Sequence, residues 1–249
     1  MANGGRPGIQ RLVHGVDNRV PIEHVEVAPW RSFCCLEVNF GDQPATAGYG
    51  TGLLIAPNII LTAAHNLYSL RQGLWAKKIL AMVGMKNGVH AAQAGVKRVE
   101  VAPGYRNSLQ RDSFQHDYGI AVVESDALYR WAGEFVRVTD QAPMDNTELA
   151  ASNVSVAGYP DEDRPQITLK SAFGAIIPSK LTKTNIHYEM DTMPGQSGCP
   201  VFKWSSQSKS FRLAGVHVAG YERSNAARRY DGQMCEQVKA WVAEHGRAG

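Results

Sequence analysis

The sequence predicts an all-β protein built as barrels or sandwiches. Three observations lead there. Short apolar runs, punctuated by glycine and proline, recur between residues 31 and 220, and the chain carries 24 Gly and 12 Pro in 249 residues. No long helical segments alternate with those runs, as βαβ units would require. The composition, 44% hydrophobic and 20% charged, is that of an ordinary globular chain long enough for a large core.

The runs justify strands in order along the chain. RSFCCLEVNF (31–40) alternates, with Cys34, Leu36, Val38 and Phe40 on one face. GTGLLIAPNIILTAAH (50–65) reads as a strand, a Pro57-Asn58 turn and a second strand. VKRVEVAP (96–103), YGIAVVE (118–124), NVSVAGYP (153–160), QITLKSAFGAII (166–177), NIHYEMD (185–191), GCPVFKW (198–204) and FRLAGVHVAG (211–220) fit the same template. Residues 126–150 lack clean alternation and read as a connection between two halves. Near the end, Met234, Val238, Trp241 and Val242 recur at helical spacing, so 231–246 is expected as a helix lying with its apolar stripe on the body.

Charge and composition exclude several classes. Against 26 basic side chains stand 23 acidic ones, a net charge of +3, too mild for a nucleic-acid binder. No apolar run approaches the roughly 20 residues that span a bilayer. The opening MANGGRPGIQRL is broken by Gly, Pro, Arg and Asn, so it is not a signal peptide. The eight histidines show no HExxH or other ligand spacing, and no metal or cofactor is expected. The four cysteines, Cys34, Cys35, Cys199 and Cys235, form no CxxC pair. They read first as buried free thiols, with one or two disulfides as the alternative.

Three short motifs carry chemistry. Ser197 lies in Gly195-Gln196-Ser197-Gly198, where flanking glycines allow a sharp turn and close approach of a substrate. A serine needs a base to take its proton and donors for the oxyanion it creates, which backbone N–H groups of Gly195 and Ser197 could supply. His65 ends the strand in LTAAH, and Asp117 stands at the entry to the apolar strand YGIAVV. Each is ordinary taken alone, a structural histidine and a strand-capping acid. Together they give the order His, Asp, Ser with gaps of 52 and 80 residues, each at the end of a predicted strand. That is the residue set of a nucleophile, its base and an orienting carboxylate.

TAAH, HDYGIAVV and PGQSGCPVF resemble the three active-site motifs of the trypsin-like (chymotrypsin-fold) serine proteases. The similarity runs from about residue 13 to the C-terminus. Within that superfamily the chain most resembles the bacterial glutamyl endopeptidase branch, through VHGVDNRVPI (13–22) and YEMDTMPGQSGCPVF (188–202). The resemblance implies two packed six-stranded antiparallel β-barrels, at about 28–125 and 150–230, with a C-terminal helix at about 231–246. Residues 1–12 would be a propeptide remnant or vector-derived, with the mature chain starting near Val13. His65 would be the general base, Asp117 its partner, Ser197 the nucleophile, and Gly195 and Ser197 the oxyanion hole. The protein would be a secreted, monomeric endopeptidase acting on polypeptides, with no nucleic-acid or membrane partner. The alternative is a non-catalytic binding module on the same fold. In the animal enzymes an Asp precedes the nucleophile and a Cys follows the histidine; here these positions hold Gln196 and Asn66. Pro194 should stiffen the oxyanion loop.

The specificity pocket reads in two directions. Asp191, six residues before Ser197, matches the acid that selects Lys or Arg in trypsin. Thr192 and His217 match the pair with which glutamyl endopeptidases bind a Glu side chain. A hydroxyl and an imidazolium can both donate to a carboxylate, so Glu is favoured provided Asp191 points away or pairs elsewhere. Lys/Arg or broad preference remains the alternative. Val218-Ala219-Gly220 matches the edge segment that pairs with extended substrate, Val218 and Gly220 included.

Overall fold

The computed structural model describes residues 16–41, 47–109, 113–221 and 224–247. The expectations for residues 1–12 and for a start at Val13 lie outside the described residues.

The first half is a closed barrel. Its strands are β2 (Phe33–Asn39), β3 (Gly48–Ala56), β4 (Ile59–Thr62), β7 (Lys78–Val83), β8 (Ala92–Val101) and β9 (Gly119–Val123). They follow a short β1 (Val20–Pro21) and enclose a small hairpin of β5 (Tyr68–Ser69) and β6 (Leu74–Trp75). The strand order around the barrel is β2-β3-β4-β9-β8-β7, and β7 returns to β2 with Cys34 opposite Val83. The alternation read in 31–40 is real. Cys34, Leu36 and Val38 face the barrel interior with Leu54, Ile60 and Val83, while Phe33 and Cys35 face the opposite core.

The connection holds two short helices, α1 (Ala127–Ala132) and α2 (Asn146–Ala150). Asp145 caps α2 by accepting from the Glu148 backbone N–H at 2.8 Å, an Asp-x-x-Glu box visible in the sequence. The second half contains β10 (Asn153–Gly158), β11 (Lys170–Ala175), β12 (Asn185–Tyr188), β13 (Pro200–Ser205), β14 (Ser210–Tyr221) and β15 (Ser224–Arg229). Its sheet runs β1-β11-β10-β13-β14-β15-β12. The six expected strands curl until Ile176, just past β11, bridges Tyr188 of β12. The second barrel is thus joined at one bridge rather than a full ladder, and β1 adds a seventh strand along β11.

Helix α3 (Gly232–His245) ends the described chain, capped by Asp231, and buries Met234, Cys235, Val238 and Trp241. Side chains of this size stabilise the fold by about 1.5–3 kcal/mol each when removed from water. They join one apolar cluster with Phe33, Leu61, Ile120, Tyr159, Phe202 and Val216, which cements the two halves and the helix. All four cysteines are free and buried. Burial pushes the thiols of Cys34, Cys35 and Cys199 above the usual thiol range. No helix among the described residues is long and apolar enough to cross a membrane.

Candidate active site

Strand pairing assembles the first two site residues. β4 lies antiparallel to β9 with Thr62 opposite Gly119. His65, on the 3-10 turn Ala64–Asn66 just past β4, therefore meets Asp117, just before β9. The buried Asp117 carboxylate is used twice. One oxygen accepts the His65 backbone N–H at 2.9 Å and the other lies 2.7 Å from the ring Nδ1. A carboxylate only accepts, so Nδ1 carries the proton and Nε2 is left basic. The enclosing walls disfavour a charged ring, but the charge of Asp117 and its hydrogen bond outweigh them, and the His65 pKa lies above 6.5.

Ser197 sits on a tight turn between Gly195 at φ +94° and Gly198 at φ +87°. Both positions require glycine. A Cβ on Gly195 would strike the Tyr159 carbonyl, and one on Gly198 would strike Thr62 Oγ1 and the Thr51 carbonyl. The first barrel grips this turn. Thr51 N–H and Asn66 Nδ2 donate to Ser197 O at 2.8 and 2.9 Å, and Thr51 Oγ1 donates to Gly195 O at 2.9 Å. Asn66 follows His65 directly, so one residue ties the His65 turn to the Ser197 turn. No hydrogen bond joins the Ser197 hydroxyl to His65 among the described residues; such bonds are often long before substrate binds.

The turn leading into Ser197 is fixed at two points. Pro194 O accepts the Asp161 N–H at 2.7 Å, and Gln196 N–H donates to Met193 O at 3.0 Å. The N–H groups of Gly195 and Ser197 have no acceptor among the described residues.

Asp191, 1% exposed, is engaged by the chain's beginning. Its Oδ2 accepts the Asn18 N–H at 2.8 Å, and its own N–H donates to Asn18 Oδ1 at 3.1 Å. Thr192 is buried, and its hydroxyl makes no hydrogen bond to a described residue. His217 is buried on β14, with Nδ1 2.6 Å from the Tyr188 hydroxyl. A phenol can donate or accept there, and the ring proton sits on Nε2 or Nδ1 accordingly. Burial, helped by repulsion from His65, pushes the His217 pKa down to about 3. His217 is therefore held neutral, in contrast to the imidazolium of the sequence analysis, because burial and the neighbouring His65 both disfavour a charge on its ring.

The segment Val218–Gly220 has one unpaired edge. Pairing with β13 stops at Val216, Gly198 and Cys199 bond to His217, and β15 covers only the other side. Among the described residues no group of three or more His, Cys, Asp or Glu is gathered to hold a metal ion.

Sequence reading noted Asn66 and Gln196 as departures without seeing their tasks, and it missed Thr51, Tyr188 and Arg19. Their tasks depend on partners remote in the chain, 29 residues away for Tyr188 and between 108 and 177 for Thr51, Asn66 and Arg19.

Comparison with known proteins extends this picture. The trypsin family profile matches residues 30–242. Glutamyl endopeptidase of Bacillus licheniformis is 29% identical over 198 residues, 79% of this chain and 56% of that protein. An extracellular metalloprotease of Bacillus subtilis is 25% identical over 232 residues, 92% of this chain and 69% of that protein. Glutamyl endopeptidase of Staphylococcus epidermidis is 24% identical over 202 residues, 80% and 65% of the two chains. The chain thus spans between about half and two thirds of these relatives. Among solved structures, a Glu endopeptidase superposes with TM-score 0.77 at 23% identity, over 93% of this chain and 99% of the other. The protease Anisep of Arthrobacter nicotinovorans gives TM-score 0.66 at 16% identity, over 86% and 96%. At these identities the superpositions speak for the fold.

Proposed function

The chain belongs to the trypsin family, and on that premise we propose that it is a serine endopeptidase working through a His65–Asp117–Ser197 triad. One observation carries the reading. Both oxygens of buried Asp117 hold His65, and Asn66 bonds to Ser197 O, so base and nucleophile share one rigid corner. Ser197 Oγ attacks the peptide carbonyl while His65 Nε2 takes its proton. The oxyanion is received by the N–H groups of Gly195 and Ser197. His65 then gives the proton to the leaving amine, and water repeats the cycle on the acyl-enzyme. Substrate adds as a strand along Val218–Gly220, which supplies main-chain hydrogen bonds with little sequence bias. The protein is exported and acts as a monomer on polypeptides.

The residue before the scissile bond is Glu. The support is that Asp191 is occupied by Asn18, while the Thr192 hydroxyl and the His217 ring can donate and have no carboxylate partner among the described residues. A Lys/Arg preference through Asp191 is the second reading, favoured by that residue's position alone. A fluorophosphonate probe should label wild type and not Ser197→Ala, and a mixed peptide library should be cut after Glu. No labelling of wild type would leave a binding module; cutting after Lys or Arg would hand the pocket to Asp191.

A further inference from the structure

We infer that Arg19 is a positioning residue for the oxyanion hole, holding the Met193–Ser197 turn in place through Gln196 and Glu162. The inference rests on the serine-protease reading above. Arg19 is far from Ser197 in sequence and does not touch the reacting atoms. Its guanidinium is nonetheless almost fully enclosed, with a side chain 1% exposed. Nε donates to Asp17 at 2.9 Å and Nη2 reaches Asp17 and Glu162. Two carboxylates already balance its charge. The remaining nitrogen, Nη1, donates to the buried Gln196 Oε1 at 3.2 Å.

Gln196 is the hinge of the turn. The same Oε1 accepts the Met193 N–H at 2.9 Å, so the carboxamide folds back on the residues before it. Its Nε2 is buried without a hydrogen-bond partner among the described residues, so its side-chain hydrogen bonds all run through Oε1. On the other side, Glu162 belongs to the turn Asp161–Asp163, whose first N–H donates to Pro194 O at 2.7 Å. The Pro194–Gly195 peptide is therefore fixed at its carbonyl. In a planar trans peptide the C=O and N–H point in opposite directions. Fixing Pro194 O against Asp161 thus turns the Gly195 N–H away, toward the face where an oxyanion would form. Arg19 spans both supports of that peptide, one through Gln196 and the other through Glu162. Beside it, Asn18 and Asp191 exchange two hydrogen bonds, so the strap 17–19 also fixes the start of the same loop. Position 196 is where the animal enzymes hold an Asp; here a neutral carboxamide and an internal arginine occupy that place.

The test compares wild type, Arg19→Met, Arg19→Lys, Gln196→Met and the double variant Arg19→Met/Gln196→Met on a Glu-containing peptide, with circular dichroism to confirm folding. Misplacing one oxyanion donor costs about 10²–10³ in kcat. Arg19→Met and Gln196→Met should each lower kcat about 100-fold with KM changed less than about threefold. The double variant should lose little more, because both act on one link. Arg19→Lys should recover part of the rate. A clamp with no link to the turn would lower stability but leave kcat per folded molecule alone. Folded Arg19→Met with kcat within about twofold of wild type would overturn the inference. If Arg19→Met does not fold, Gln196→Met decides by the same criterion, and failure of both to fold makes the link structural and ends the inference. No cleavage of any peptide in the mixed library by wild type would sink the peptidase reading and this inference with it, whereas turnover of whichever peptide the wild type cuts, with the variants unaffected, sinks only this inference.

Discussion

At His65 two opposed effects meet. The walls of the site disfavour a charged imidazole, and the Asp117 carboxylate favours it more strongly, so the pKa rises above 6.5. Only the neutral ring can accept the serine proton. The value of kcat/KM should therefore rise with pH through a midpoint above 6.5, not at it. Asp117→Asn removes the charge, so its midpoint should fall and kcat should drop by about 10⁴, as loss of the orienting acid does in triads of this kind. A pH–rate profile of both proteins checks this; an unchanged midpoint in the variant would break the assignment of Asp117. The proposed triad, His65, Asp117 and Ser197, can be picked out in the sequence because short motifs surround each residue. The tasks of Asn66 and Gln196 cannot, because a carboxamide advertises nothing until its partners are known. For Asn66 the partners are Thr62 and the Ser197 carbonyl, and for Gln196 they are Arg19 and Met193.

Single elements explain both what was read and what was missed. β2, β3, β4 and β9 were visible because apolar residues face one or both cores, and their period survives in the sequence. β15, SNAARR, was invisible. Its six residues are all buried, yet polar ones dominate. Hydrogen bonds make this tolerable: Asn225 Nδ2 donates to Met190 O at 2.7 Å, Arg228 pairs with Asp231 at 2.9 Å, and Arg229 Nη2 donates to Met144 O at 2.7 Å. Binary patterning cannot find a strand whose buried side chains are mostly polar and are held by internal hydrogen bonds, even though Asn225 Oδ1 and Arg229 Nε have no partner among the described residues. α3 was found from its stripe, and its position matters for the site. Trp241 contacts the Tyr118 ring at 5.9 Å between centroids, directly beside Asp117. Trp241→Ala should cost about 3–5 kcal/mol of stability, the range for a large buried aromatic, as read from the urea midpoint. A loss under about 1 kcal/mol would mean that the helix is dispensable to the core.

For the whole molecule, the balance of buried histidines sets the response to acid. In the unfolded chain a histidine takes its proton near 6.5, whereas folded His217 stays neutral down to about 3. Between these values the unfolded state binds more protons, so stability rises with pH. The His217 contribution is complete above about 6.5 and is lost as pH falls toward 3. His65 acts oppositely: its raised pKa contributes stability below 6.5 that disappears as pH rises through the folded value. Urea unfolding at pH 7 and pH 4 should show wild type weakened by acid and His217→Gln weakened less. Equal losses would place the acid sensitivity elsewhere. Local spacing along the chain carries the all-β class, the strands with a clear period, the final helix and the chain order of His65, Asp117 and Ser197. Folding adds what spacing cannot: Asn18 engages Asp191, His217 is held neutral, and Arg19 reaches Gln196 across 177 positions. Charge state, pairing and burial are properties of what lies nearby in space, and chain distance carries no record of them.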